Sequence, residues 1–141
     1  MRRGFNSYVL SGLNFPSFQI EEHSPNITNL EFPGLENLKI PKNSSFNIEW
    51  TPENSLPENS QGYVVLYSSE VDSDEIISTQ KVVNDSDGSV SFTSSDLYAF
   101  YNCPHLTILY GRGYNKTSVV EDKNIDLRFI SISYSRIYLE K

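Results

Sequence analysis

The chain is poor in the residues from which most catalytic and metal centres are built. A single Cys among 141 residues leaves no intrachain disulfide, and two His are too few for a multi-His metal centre. Basic residues are also scarce. Eleven Lys and Arg against eighteen Asp and Glu give a net charge of −7, which argues against the clustered basic stripe of a nucleic-acid surface. No apolar run approaches the roughly 18–20 residues of a membrane-spanning helix. Amphipathic stretches at the helical period of about 3.6 residues are missing, which speaks against an α/β fold. What the chain has instead is aromatic character: nine Tyr and eight Phe favour strands over helices. Charged residues at 21% and hydrophobic ones at 38% permit a packed core and disfavour a disordered chain. The length suits one domain better than two.

Met1-Arg2-Arg3 has the basic character of a secretion signal, but Gly4, Asn6, Ser7, Ser11, Gly12 and Asn14 break any apolar stretch behind it. Leu10-Ser11-Gly12 would approach a bacterial lipidation site if Cys followed, and position 13 is Leu. The first 35 residues are interrupted by Pro16, Pro25 and Pro33 and read as an irregular lead-in that can add one edge strand. The sandwich domain is expected over 36–141.

Within it, Phe46, Ile48 and Trp50 alternate with polar residues, giving one buried and one wet face. Tyr63-Val64-Val65-Leu66-Tyr67 is apolar on both faces, as a central strand should be. A further strand is expected from Glu75 to Val83, ended by the turn signal Asn84-Asp85-Ser86-Asp87-Gly88, after which Val90 and Phe92 alternate again. Ser94-Ser95-Asp96 followed by Leu97, Phe100 and Tyr101 reads as one capped helical turn, closed by Pro104. Leu106, Ile108 and Tyr110 form another alternating strand, stopped by Gly111-Arg112-Gly113, with Arg112 on the surface. A polar loop over 112–124 precedes the last strand. There the apolar phase slips from Ile125, Leu127 and Phe129 to Ile130, Ile132 and Tyr134, which predicts a β-bulge near 129–130. About seven strands in an antiparallel sandwich with one short helical crossover follow from this pattern.

Candidate chemistry is sparse. Cys103-Pro104-His105 sets a thiol near an imidazole, but a Cys nucleophile needs a base free to turn toward it, and a rigid Pro separates the two. Asp85, Asp87 and Gly88 fail as an EF-hand, because Val83 and Ser94 would occupy its first and twelfth positions. Gly111-Arg112-Gly113 precedes no helix and so makes no phosphate cradle. No catalytic residue, metal ligand or cofactor is therefore assigned. Trp50 is expected in the core, whereas Tyr101 and Tyr114, in loop-like contexts, and Arg112 are the candidate ligand contacts. If neighbouring strands alternate in direction, segments 51–62, 84–88 and 112–124 share one end of the sandwich, and 68–74 and 94–104 share the other.

Ile48-Glu49-Trp50, the crossover Leu97 and Ile108-Leu109-Tyr110-Gly111-Arg112-Gly113 resemble the second-strand Trp, the crossover Leu and the sixth strand of fibronectin type III-like and immunoglobulin-like domains. More narrowly, Trp50-Thr51-Pro52, Asp87-Gly88-Ser89, Ser94 to Phe100 and Arg112-Gly113 resemble, in this order, small sandwich domains of Bacteroidetes surface lipoproteins. The resemblance implies a cell-surface or periplasmic location, associated with the outer membrane. The expected function is a non-catalytic module for adhesion, assembly or spacing, and the alternative is a carbohydrate-binding module using loop aromatics, with or without calcium. The protein or glycan partner is left open.

Overall fold

The computed structural model describes residues 6–12, 15–70 and 72–140. Among them the fold is all-β: nine strands and three short 3-10 turns. The strands are β1 (Asn6–Gly12), β2 (Phe15–Glu22), β3 (Lys39–Ile40), β4 (Phe46–Glu49), β5 (Gln61–Ser69), β6 (Ile76–Val83), β7 (Ser89–Phe92), β8 (His105–Val120) and β9 (Lys123–Leu139). They form a five-stranded sheet in the order β3-β9-β8-β5-β6, a two-stranded sheet β4-β7, and a separate hairpin β1-β2. All pairings are antiparallel except β3 with β9. Among the described residues, no helix is long and apolar enough to cross a membrane.

The alternation read from the sequence is the alternation that builds the core. Phe46 and Ile48 of β4 and Phe92 of β7 point into one cluster with Val64 and Leu66 of β5, Leu106, Ile108 and Tyr110 of β8, and Ile137 of β9. The expected crossover also forms, but as a 3-10 turn over Tyr98–Phe100 whose N-cap, Leu97, makes no side-chain cap bond. Leu97 and Phe100 are buried, and the main chain of Thr93 donates to Asp96 Oδ2 across 2.8 Å, while Asp96 N donates back to Thr93 Oγ1. Hydrogen bonds from the Thr93 main chain and Lys81 hold the Asp96 carboxyl below its ordinary pKa.

Three expectations are corrected. The lead-in contributes a hairpin rather than one edge strand. Pro16 is accommodated because the register shifts between Leu10 and Gly12, leaving positions 11, 16 and 17 outside the ladder. Gly111 and Gly113 do not stop their strand, β8, and no polar loop follows. β8 runs on to Val120 and turns directly into β9 at Glu121-Asp122, whose φ angles of 49° and 61° are those of a two-residue type I′ turn. Nor is there a bulge near 129–130, for the register is constant from His105 opposite Tyr138 to Val120 opposite Lys123.

The phase slip therefore has another cause. Odd positions of β9 face inward throughout, from Ile125 to Ile137, but in its middle they are Ser131, Ser133 and Ser135. These small hydroxyl residues lie under the segment that precedes β3: Ser131 Oγ donates to the Asn26 carbonyl at 2.9 Å, and the main chain of Thr28 donates to Ser133 Oγ at 3.2 Å. The even positions Ile130, Ile132 and Tyr134 point outward.

Candidate functional site

Of the three residues expected to meet a ligand, two are interior. Arg112 is 3% exposed and Tyr114 is 6% exposed. Because β8 continues past the glycines, position 112 keeps the inward phase of Leu106, Ile108 and Tyr110, and Tyr114 follows it. The expectation of a surface Arg112 and an exposed Tyr114 is thereby corrected. Tyr114 stacks on Phe129 at 5.1 Å, and its hydroxyl donates to the His23 carbonyl at 2.5 Å. Tyr101 does lie at the surface, where its hydroxyl donates to Asn43 Oδ1 at 3.1 Å and its ring meets Tyr98 edge-on. The three do not converge. Tyr101 belongs to the crossover end, where Asn102 reaches Glu70, whereas Arg112 joins the end made by 51–60 and 84–88.

At that second end, segments 51–62 and 84–88 meet as expected and Arg112 joins them inside the fold, but the rest of the expected third segment, 112–124, is instead the end of β8 and its turn into β9. Arg112 Nη1 donates to Asp85 Oδ1 at 3.0 Å and to the Thr51 carbonyl at 2.8 Å. Its Nη2 lies 3.2 Å from Glu53 Oε2, and its Nε donates to the Asn26 carbonyl at 3.0 Å. Each nitrogen of the fork thus has its own acceptor, which a lysine could not reproduce. Asp85 is engaged on both oxygens: Tyr110 Oη and Arg112 bind Oδ1, and the main chain of Glu53 donates to Oδ2 at 2.6 Å. Burial pushes the Asp85 carboxyl up, but these donors together outweigh it and hold it below its ordinary value. Burial, and then the hydrogen bond to Asp85, pushes the Tyr110 hydroxyl far up, so it remains a donor.

The local sequence explains this geometry. Asn84 and Asp87 close a reciprocal cap on the 3-10 turn Asp85–Asp87, and Gly88 takes the left-handed φ of 68° that lets β7 begin. Gly62 leaves room for Tyr110, since a Cβ there would stand 3.1 Å from the Tyr110 ring and 2.9 Å from Val83. Tyr110 then stacks on Trp50 at 4.5 Å, and the Trp50 indole donates to the Asp85 carbonyl at 2.9 Å. An open polar cleft of about 450 Å³, bordered by Asn26, Thr28, Glu31, Glu49 and Glu53, adjoins this cluster. Among the described residues, no group of three or more His, Cys, Asp or Glu is arranged to hold a metal ion. Cys103 is buried, and His105 opens β8 directly after the rigid Pro104.

What sequence reading missed is the outer face of the five-stranded sheet. Registers place Val82, Tyr63, Gly111 and Ile132 in one cross-strand row, and Gln80, Val65, Leu109 and Tyr134 in the next. Tyr134 is 77% exposed, Val82 59%, Ile130 57% and Ile132 55%. The signal was present in the even-numbered phase 130-132-134, which marks apolar residues outside rather than a bulge.

Compared with family models, with curated proteins and with solved structures, the chain has no significant match.

Proposed function

We propose that the chain is a non-catalytic β-sandwich module, of immunoglobulin-like or fibronectin type III-like build, that acts in adhesion, assembly or spacing at a cell surface or in a periplasm. The strand order supports the build: a five-stranded sheet and the pair β4-β7 share one core, and the segment bridging Glu31 to Glu49 goes on to align β3 with β9, as a first strand divided between two sheets would. The outer-membrane-associated location rests on the lipoprotein resemblance.

The observation that carries the function is the exposed apolar face of Tyr63, Val82, Ile130, Ile132 and Tyr134. Contiguous apolar surface of this kind marks a site of macromolecular contact, whereas scattered exposed apolar residues do not. The buried ions, by contrast, are saturated by one another and by main-chain groups, which suits a scaffold role.

The test is covalent capture from the face. A photocrosslinking residue in place of Tyr134, introduced into the full chain in its source cells, should yield a protein adduct. Absence of any protein adduct, or robust turnover of a substrate by the purified chain, overturns the proposal. The carbohydrate-binding alternative draws on exposed Tyr63, Tyr134 and Tyr138, whose rings could stack on sugars. The aliphatic residues between them favour a protein. A rise in unfolding midpoint with one glycan class, lost in Tyr134→Ala, would reverse that preference.

A further inference from the structure

We infer that the outer face of the five-stranded sheet is the interface of a face-to-face dimer of this chain; this rests on the assembly reading above and names the partner. Three observations carry it.

The first is the composition of the face. Its outward positions on β5, β6, β8 and β9 run from the row Gln61-Gly113-Ile130 to the row Ser78-Tyr67-Thr107-Arg136, with the pairs Ser69-Ile76 and His105-Tyr138 beyond it. They include Tyr63, Val65, Tyr67, Val82, Leu109, Ile132 and Tyr134, and no carboxylate, although the chain carries eighteen acidic residues. Two copies of an acidic protein repel one another, and this is a surface on which they can meet without burying a carboxylate.

The second is self-complementarity. A closed two-fold contact sets a patch against itself, so each residue must tolerate its symmetry-related neighbour. The fixed charge within these rows is Arg136, paired with Thr107 one row from the centre. A two-fold axis in the plane of the face, passing along the central row Gln80-Val65-Leu109-Tyr134, lays Arg136 over the row of Ile132. An axis parallel to the strands lays it over the row position of Ser78. Neither arrangement sets Arg136 against its own copy.

The third is area. With strands about 4.8 Å apart and a rise of about 3.4 Å per residue, the four-stranded face measures roughly 19 by 27 Å. The projected area is about 510 Å² per copy, or about 1,000 Å² for the pair, which reaches the lower bound of a specific interface. Gly111, one row from the centre, lowers the face between Tyr63 and Ile132.

The experiment is sedimentation equilibrium of the full chain from low to high micromolar concentration, with Ile132→Glu and Tyr134→Glu as variants and Tyr98→Glu, at an exposed position on the crossover turn, as the control. A species of twice the 16.1 kDa chain mass is expected for the parent and the control. Each face variant should weaken self-association about thirtyfold or more. Fluorescence of Trp50, which is buried in the core, reports that each variant is folded. A parent that stays monomeric, or a dimer untouched by both face variants, overturns the inference. The crosslinker at position 134 separates the two proposals. An adduct of twice the chain mass supports the dimer, an adduct with a different protein overturns the dimer but leaves the module reading, and no adduct overturns both.

Discussion

Nε of Arg112 donates to the carbonyl of Asn26 across 3.0 Å, although the two residues are 86 positions apart in the chain. Asn26 returns a main-chain N–H to Glu53 Oε2 at 2.8 Å, and Glu53 faces the same guanidinium. The segment before β3 is therefore fastened to the sheets by a buried ionic cluster rather than by a continuous backbone ladder. A cluster of this kind contributes little relative to a well-packed apolar core, yet it is costly to break, because removing one partner leaves the others buried and unpaired.

Arg112→Met should consequently destabilise the fold by about 3–5 kcal/mol, through the stranded Glu53 and Asp85 carboxylates. Arg112→Lys should recover only part of that loss, since one ammonium cannot serve acceptors from Asn26, Thr51, Glu53 and Asp85 at once. Urea denaturation measures both, and limited proteolysis should show cleavage near 23–31 before global unfolding. Equal stability of Arg112→Met and the parent would mean that the cluster fastens nothing.

Asp85 sets an acid limit. Its carboxyl is held below the ordinary value of 3.8, so the unfolded chain binds the proton more readily than the folded one. Its contribution is complete above the unfolded pKa and is lost as the pH falls through the lower folded value. Stability should therefore decline as the pH drops below about 4, and Asp85→Asn should flatten that decline while lowering stability at neutral pH. Urea midpoints at neutral pH and at successive acid steps decide it, and a parallel acid decline in the variant would assign the effect to other carboxylates.

Much of this fold can be read from local pattern. The alternation of Phe46, Ile48 and Trp50, the turn at Asn84–Gly88, and the crossover with Leu97 and Phe100 all depend on neighbours in sequence, and they form as expected. What escaped depends on distant partners. Nothing around Arg112 announces that Glu53, Asp85 and Asn26 will surround it, and its flanking glycines look like a strand end. In the sheet those glycines pair with Ile130 and Ile132, which keeps them within a continuous strand. The ribbon turn was equally hidden, because Glu121-Asp122 lacks the Asn or Gly that a type I′ turn normally shows.

Tyr101 and Tyr114, alike in sequence context, should behave differently. Tyr114→Ala removes a buried ring stacked on Phe129 and should cost about 3–5 kcal/mol. Tyr101→Ala, at a residue 37% exposed, should cost less than about 1 kcal/mol. Thermal and urea unfolding of the two variants compare them directly, and similar small losses would contradict the burial of Tyr114.

Tyr110 has little room to change. Tyr110→Phe keeps the stack on Trp50 but withdraws the hydroxyl from a buried carboxylate, at a cost of about 1.5–3 kcal/mol. Gly62→Ala pushes a methyl group against the same ring and against Val83 and should cost about 1–3 kcal/mol by overpacking. Because both act on the position of Tyr110, their combined effect should fall short of the sum. A double-mutant cycle in urea tests this, and strict additivity would separate Gly62 from the placement of Tyr110.

The ribbon tip offers a prediction of opposite sign. Glu121 and Asp122 both adopt positive φ, which L-residues bearing a Cβ disfavour and which Asn-Gly accepts. The double substitution Glu121→Asn with Asp122→Gly should therefore stabilise the chain by about 1 kcal/mol, provided that the two-residue register between Val120 and Lys123 is kept. It also removes two negative charges beside Lys123. A charge effect can be separated from a backbone effect by repeating the measurement with Glu121→Gln and Asp122→Asn, which neutralises both side chains and retains a Cβ at each position. Stabilisation by Asn-Gly well beyond that of the neutral pair assigns the gain to the backbone. Equal stabilisation by the two would mean that charge repulsion at the tip, rather than its left-handed geometry, is what the native sequence tolerates there.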